Sequence, residues 1–287
     1  MHAPPVTRTM RRAITLGMIG LGAALALSQA AAPPPPAAAQ VALGWRLMAD
    51  RRLSVSRNLS CLDCHIPTQG YADGKAVATA DGLNTPTLYG LADRTTFGWF
   101  TPEVRSLESF VLRPLDNPRE MGPLAEATLQ RLSADPALRA SYAAAFPGAR
   151  EPITWAQTAQ ALAAAIRSIA SPRTGAMTAA ATRGQTLFAE LGCAGCHRGA
   201  TLSSEAYMNT GVSHERRNGG RSRVPSLIGL AQTAPYFHDG SAATLADVVR
   251  AYQRGGQVPG AGVNAAISPF VITADEERDL VAFLSSR

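Results

Sequence analysis

Cys61-Leu62-Asp63-Cys64-His65 and Cys193-Ala194-Gly195-Cys196-His197 are two copies of Cys-x-x-Cys-His, and together they take up all four cysteines of the chain. The spacing puts two thiols on one turn of backbone, where they can add to the two vinyl groups of a haem. The adjacent His is then held under the iron as its proximal ligand. A four-cysteine zinc site and a pair of thioredoxin-like redox motifs are the competing readings. Zinc leaves the His after each pair unexplained, so covalent c-type haem is the reading to carry forward.

One motif lies in each half of a 287-residue chain, a length that suits two modest domains. Residues 1–40 read as an export signal and an Ala/Pro-rich leader. Arg8, Arg11 and Arg12 form a positive n-region, and Ala13 to Leu27 is an apolar stretch short for a membrane span. Cleavage is expected after Ala30 or Ala39, and Arg11-Arg12 only weakly resembles a twin-arginine signal. The periplasm is the expected compartment, with an uncleaved anchor as the alternative. The net charge is +6. Removing residues 1–40 removes three arginines and no acids, which leaves 24 basic and 21 acidic side chains, a balance of +3. Four haem propionates bring such a protein near neutrality. No basic run argues for nucleic acid, and the charges read as a mixed solvated exterior.

Apolar residues recur at helical spacing, and alternating strand-like runs are scarce. Helices are expected over Val41–Asp50, from Pro102 to about Leu112 with Pro114 as the stop, and over Leu124–Leu132 and Pro136–Phe146. Further helices are expected over Thr154–Ile169, Arg183–Leu191, Thr244–Arg254 and Thr273–Ser285. Thr154 is a plausible N-cap. The fold class is mostly α: two cytochrome-c-like domains, each wrapping one covalently bound haem. The expected boundaries are 41–172 for the N-terminal domain, 173–180 for a linker of small residues, and 181–287 for the C-terminal domain. Each Cys-x-x-Cys-His is expected at the end of a helix.

Several further segments stand out. They are Val41-Ala-Leu-Gly-Trp-Arg-Leu47, Asp50-Arg-Arg-Leu-Ser54, Tyr71-Ala-Asp-Gly74 and Asn84-Thr-Pro-Thr-Leu88. Others are Arg105-Ser-Leu-Glu108, Pro114, Asn117-Pro-Arg-Glu-Met121, Val224-Pro-Ser-Leu227, Thr233-Ala-Pro-Tyr-Phe-His-Asp-Gly240 and Ala243-Thr-Leu245. Together they resemble the bacterial di-haem cytochrome c peroxidase and MauG family over most of residues 41–287. That resemblance implies an N-terminal haem that reacts with hydrogen peroxide and a C-terminal haem that stores or relays an oxidising equivalent.

The resemblance also assigns residues. No His lies between His65 and Cys193, so a five-coordinate or water-bound N-terminal iron is expected. Met121 and Met177 are the thioethers of that interval, and Met121 is expected to pack locally. Glu120 stands where the family places its distal acid, suited to moving a proton between peroxide oxygens. Pro114 and Phe110 are grouped with it, Phe110 replacing a glutamine usual in the family. Trp99 is expected as an electron relay between the haems, with Phe100 as fallback. The family run Trp-Asp-Gly-Arg reads here as Trp99-Phe-Thr-Pro-Glu-Val-Arg105, so the match needs an insertion.

Tyr252 is expected as the sixth ligand of the C-terminal iron, at the place where peroxidases carry Met and MauG-like enzymes carry Tyr. Met208, His214 and His238 are the rivals. Calcium is implied at Asn84, Thr233 and Pro235, whose oxygens suit that ion. The interval from His197 to Val224 looks trimmed, and the usual Leu-Arg-Asn after Pro-Ser is Leu227-Ile-Gly229. The expected function is a periplasmic di-haem oxidoreductase that reacts with hydrogen peroxide and oxidises a partner protein, as monomer or homodimer. A cytochrome c peroxidase and a non-enzymatic di-haem electron carrier are the alternatives. Tyr252 weighs against the first. Glu120 and the absent distal His weigh against the second.

Overall fold

The computed structural model describes residues 37–78, 82–150, 153–172, 174, 176–212, 217–256, 258 and 262–287. The positive n-region and apolar run of the leader, and His214, lie outside the described residues. Eight α-helices are described: α1 Ala38–Met48, α2 Leu107–Leu115, α3 Glu126–Ser133, α4 Pro136–Ala145, α5 Trp155–Arg167, α6 Ala179–Glu190, α7 Leu245–Gln253 and α8 Ala274–Ser285. Two short antiparallel strands, β1 Tyr207–Met208 and β2 Ser222–Arg223, pair Tyr207 with Arg223 and Met208 with Ser222. No helix among the described residues is long and apolar enough to cross a membrane.

The helix ends follow local chemistry. The side chains of Thr154, Thr178, Thr244 and Thr273 each accept a backbone N–H of their helix's first turn. At Thr244 and Thr273, Asp247 and Glu276 complete reciprocal capping boxes. Asp135 caps α4, whose first residue is Pro136. The expected start at Pro102 is corrected. Pro102 lies in a turn closed by Val104 N–H on Thr101 O, and α2 begins at Leu107 because Ser106 caps the N–H of Ser109. Pro114 falls in the last turn of α2, where the helix ends one residue later at Leu115. Helix α6 starts at Ala179 rather than Arg183, since Thr178 supplies the cap.

Two hydrophobic cores form. The first gathers Leu43, Leu47, Phe97, Leu107, Leu138 and Leu162 around the crossing of α1 and α5. Tyr142 is fully buried there and shares a 2.7 Å hydrogen bond with Thr158, so its hydroxyl is not left orphaned. The second core gathers Phe188, Val249, Phe270, Leu280 and Phe283 around the crossing of α6 and α8. The helix that precedes each Cys-x-x-Cys-His thus crosses a later helix of its own half, and the crossing fixes where the motif sits.

Candidate functional site

Both motifs fold the same way. Cys61–Asp63 and Cys193–Gly195 are 3-10 turns. Cys64 N–H and His65 N–H donate to Cys61 O at 3.3 and 2.8 Å, and Cys196 N–H and His197 N–H donate to Cys193 O at 3.2 and 2.9 Å. The second motif follows α6 directly, as expected. The first does not stand at a helix end. The Asp50 carboxylate takes the Arg52 N–H, and the chain leaves α1 through a 3-10 turn, Arg51–Leu53.

The two histidines are set alike. His65 Nδ1 lies 3.0 Å from Tyr71 O, and His197 Nδ1 lies 3.0 Å from Leu202 O. A proton held on Nδ1 by a carbonyl leaves the lone pair on Nε2, the geometry of a ligating imidazole. Burial lowers both pKa values and keeps the rings neutral. The nearby carbonyls of Tyr71 and Pro86 oppose this at His65, and those of Leu202 and Pro225 oppose it at His197. Pro86 and Pro225 belong to the matching segments Thr85-Pro-Thr-Leu88 and Val224-Pro-Ser-Leu227.

Burial pushes the Cys61 thiol up to about 12 and raises that of Cys64. Reactive redox pairs need the opposite, a stabilised thiolate. None of the four cysteines is in a disulfide. Cys61 packs on the first hydrophobic core and Cys193 on the second, so the two pairs do not form one four-cysteine site. The thiols, neutral imidazoles and apolar surroundings fit haem.

In the C-terminal half, one cavity is lined by Cys193, Cys196, His197, Tyr252, Met208 and apolar walls from Phe188, Leu227, Val249 and Leu280. Tyr252 stands edge-on to Phe237, centroids 6.1 Å apart. Burial raises its pKa, and the Cys193 and Cys196 sulfurs add to the effect. Met208 lines the same cavity, with Sδ 3.2 Å from the Asn264 amide nitrogen.

Near the first motif, Glu120 adds to the rise of both Cys61 and Cys64, which places its carboxylate within electrostatic reach of those thiols. Asn117 Nδ2 donates to Glu120 Oε1 at 2.7 Å, and Pro114 O accepts Met121 N–H at 3.2 Å. The end of α2 therefore positions the Glu120 turn. Met121 is buried in the first core. Met177 is exposed, beside Ser286 and Arg287. Phe110 stacks on Phe97 at 5.7 Å.

Between the halves, Trp99 Nε1 donates to Asn84 O at 2.9 Å, and its ring lies 6.3 Å from that of His238. Phe100 meets His238 edge-on at 5.0 Å and carries the Arg217 guanidinium at 4.9 Å. Trp99, Asn84, Thr233, Pro235 and His238 all line the C-terminal cavity. Asn84 spends its amide N–H on Lys75 O at 2.8 Å. Its oxygen remains as a hard donor of the kind calcium takes.

Two buried arginines of the cavity escape the sequence reading. Arg94 and Arg223 look there like solvated surface charge, yet they are 6% and 5% exposed and line the same cavity. The only local hint is that Arg223 precedes Val224-Pro-Ser-Leu227, the segment that packs on His197.

Comparison with known proteins adds to this geometry. The profile of di-haem cytochrome c peroxidases matches residues 38–186, and that of cytochrome c matches residues 181–287. Methylamine utilization protein MauG of Methylorubrum extorquens is 32% identical over 276 residues, covering 86% of this chain and 77% of that protein. Cytochrome c551 peroxidase of Pseudomonas aeruginosa is 26% identical over 278 residues, covering 85% and 77%. The crystal structure of a MauG-like protein associated with microbial copper homeostasis superposes with a TM-score of 0.81 at 28% identity. It covers 92% of this chain and 95% of that one.

Proposed function

The chain belongs to the di-haem cytochrome c peroxidase family and is a haem oxidoreductase of peroxidase type; on that premise we propose that it is a MauG-like periplasmic enzyme that uses hydrogen peroxide to oxidise a partner protein. The observation that carries the reading is Tyr252 on the wall of the cavity that also holds Cys193, Cys196 and His197.

Cys61 and Cys64 would hold one haem covalently, with His65 as the residue for its iron. Cys193 and Cys196 would hold the other, with His197 and Tyr252 as the residues for its iron. The haems supply the redox chemistry with peroxide. Glu120 takes a proton from one peroxide oxygen and returns it to the other, its carboxylate aimed by the Asn117 amide. Phe110, where a hydrogen-bonding side chain is usual, keeps that pocket dry. Trp99 relays electrons between the halves, its indole N–H anchored on Asn84 O. Calcium held by Asn84, Thr233 and Pro235 ties the loops that carry Trp99 and His238.

A second reading, cytochrome c peroxidase, is favoured by Met208, which lines the same cavity as Tyr252. The discriminating experiment mixes the ferric holoprotein with peroxide, with and without a reduced small cytochrome. Spectral change of both haems with only slow cytochrome oxidation is expected. Rapid, sustained cytochrome oxidation overturns the MauG-like assignment.

A further inference from the structure

Arg94 and Arg223 are charged side chains that line the C-terminal cavity and whose burial the roles above leave unexplained. Arg94 Nε donates to Gly90 O at 3.2 Å, and its Nη1 and Nη2 find no hydrogen-bond partner. Arg223 donates through its backbone N–H to Trp99 O at 2.8 Å and through Nε to Gly98 O at 3.0 Å, while its Nη1 has none. An orphaned buried N–H is destabilising, the more so on a charged group. Two such guanidinium groups on residues that line one cavity call for an anion.

Among the described residues, no carboxylate bonds these guanidinium nitrogens. Glu205 is the acid that interacts electrostatically with both arginines. Its Oε2 is taken by Thr95 N–H at 2.9 Å and by the hydroxyls of Thr95 and Thr96 at 2.7 and 3.3 Å. Two guanidinium groups thus face one carboxylate, and the wall keeps surplus positive charge. Burial, and then the neighbouring charge of Arg94, push the Arg223 pKa down, while Tyr207 and Glu205 oppose the fall.

We propose that Arg94 and Arg223 form a clamp for the propionate carboxylates of the haem attached at Cys193 and Cys196, and that the clamp raises that haem's reduction potential. Planar guanidinium forks match carboxylates, and a buried charge-assisted pair is about twice as strong as a neutral hydrogen bond. Neutralising propionate charge removes a field that favours the oxidised iron. Arg94 comes from the segment after Asn84-Thr-Pro-Thr-Leu88, in the half that carries the other haem. Seating of the two halves is therefore felt at the C-terminal haem. The inference rests on the haem reading of the second motif.

The test compares wild type, Arg94→Met, Arg94→Lys and Arg139→Gln, the last removing an exposed charge on α4. Intact mass counts haems, and spectroelectrochemical titration gives the midpoints of both couples. Two haems per chain are expected throughout. One midpoint should fall in Arg94→Met, recover in part in Arg94→Lys, and stay put in Arg139→Gln. A wild type with fewer than two haems removes the haem reading. Two haems with both midpoints unmoved in Arg94→Met, or moved equally in Arg139→Gln, overturns the clamp. Should Arg94→Met fail to retain its haem, Arg94→Lys decides: a midpoint equal to wild type in that variant shows that the fork geometry is irrelevant and removes the clamp in its bidentate form.

Discussion

Gly44 of α1 lies directly against the backbone carbonyl of Ala161 in α5: a Cβ built on it meets that oxygen at 1.9 Å. Gly184 of α6 stands in the same relation to the carbonyl of Asp279 in α8, also at 1.9 Å. Each half is closed by a helix crossing at backbone distance, and each crossing steers the turn that follows toward its Cys-x-x-Cys-His. Alanine at either glycine gains about 1 kcal/mol of helix propensity. It must also push two packed backbones apart, and overpacking of this kind costs about 1–3 kcal/mol or more. The clash wins. Gly44→Ala and Gly184→Ala are each expected to lower the denaturation midpoint of the holoprotein. Midpoints at or above wild type would show that the helices separate without cost.

Glu120→Gln removes the group that moves protons while keeping its size and its contact with Asn117. Both haems should remain. The reaction with peroxide should slow by about a hundred- to ten-thousand-fold, read by stopped-flow absorbance at constant pH. An unchanged rate takes Glu120 out of the chemistry.

What was legible in the sequence was local. The two Cys-x-x-Cys-His turns, the Thr154 cap and the helices that start near Thr244 and Thr273 follow from residues a few positions apart. Tyr252 was legible only through its distance from the Thr233–Gly240 segment, as the resemblance to a family set it. The rest depends on partners far along the chain. Ser106 outcompetes Pro102 as a helix start because its hydroxyl satisfies a backbone donor that Pro102 cannot. Arg94 and Arg223 look like surface charge until the fold buries them beside one cavity. Gly44 reads as a weak helix residue until Ala161 is laid across it.

Glu108 on α2 and Arg167 at the end of α5 form a bidentate pair, at 2.5 and 3.1 Å. The hydrogen bonds from Arg167, foremost, hold the Glu108 carboxyl below its ordinary value of 4.5. A carboxylate whose folded pKa is depressed stabilises the fold above its unfolded pKa, and the gain is lost as pH falls through the folded one. The pair is partly exposed, so its worth is at most about 1 kcal/mol. Glu108→Gln should therefore be less stable than wild type at pH 7, and the gap should close as pH falls below about 4.5. Denaturant titrations across that range measure it. A gap that stays constant with pH would assign the loss to packing instead.

Tyr252 and Met208 line the same cavity as the second motif, and the choice between them decides what the enzyme does. Tyr252 lies on α7, which packs on α8 behind the cavity, and its ring is braced by Phe237. Met208 lies on the two-residue strand β1, where its sulfur is already engaged by the Asn264 amide. Among the described residues no such bond engages the Tyr252 hydroxyl, which stands on a helix rather than on a two-residue strand. A phenolate is a hard, anionic ligand and favours ferric iron; a thioether favours ferrous iron and a high potential. Tyr252→Phe should open the sixth position and alter the low-spin ferric signal in electron paramagnetic resonance. Tyr252→Met should raise the midpoint of that haem by a sizeable part of the roughly 0.8 V that axial ligands span, and should speed turnover with a reduced cytochrome. Met208→Ala should leave both signals as in wild type. The opposite pattern, with Tyr252→Phe silent and Met208→Ala altering resonance and potential, makes Met208 the ligand and the chain a cytochrome c peroxidase.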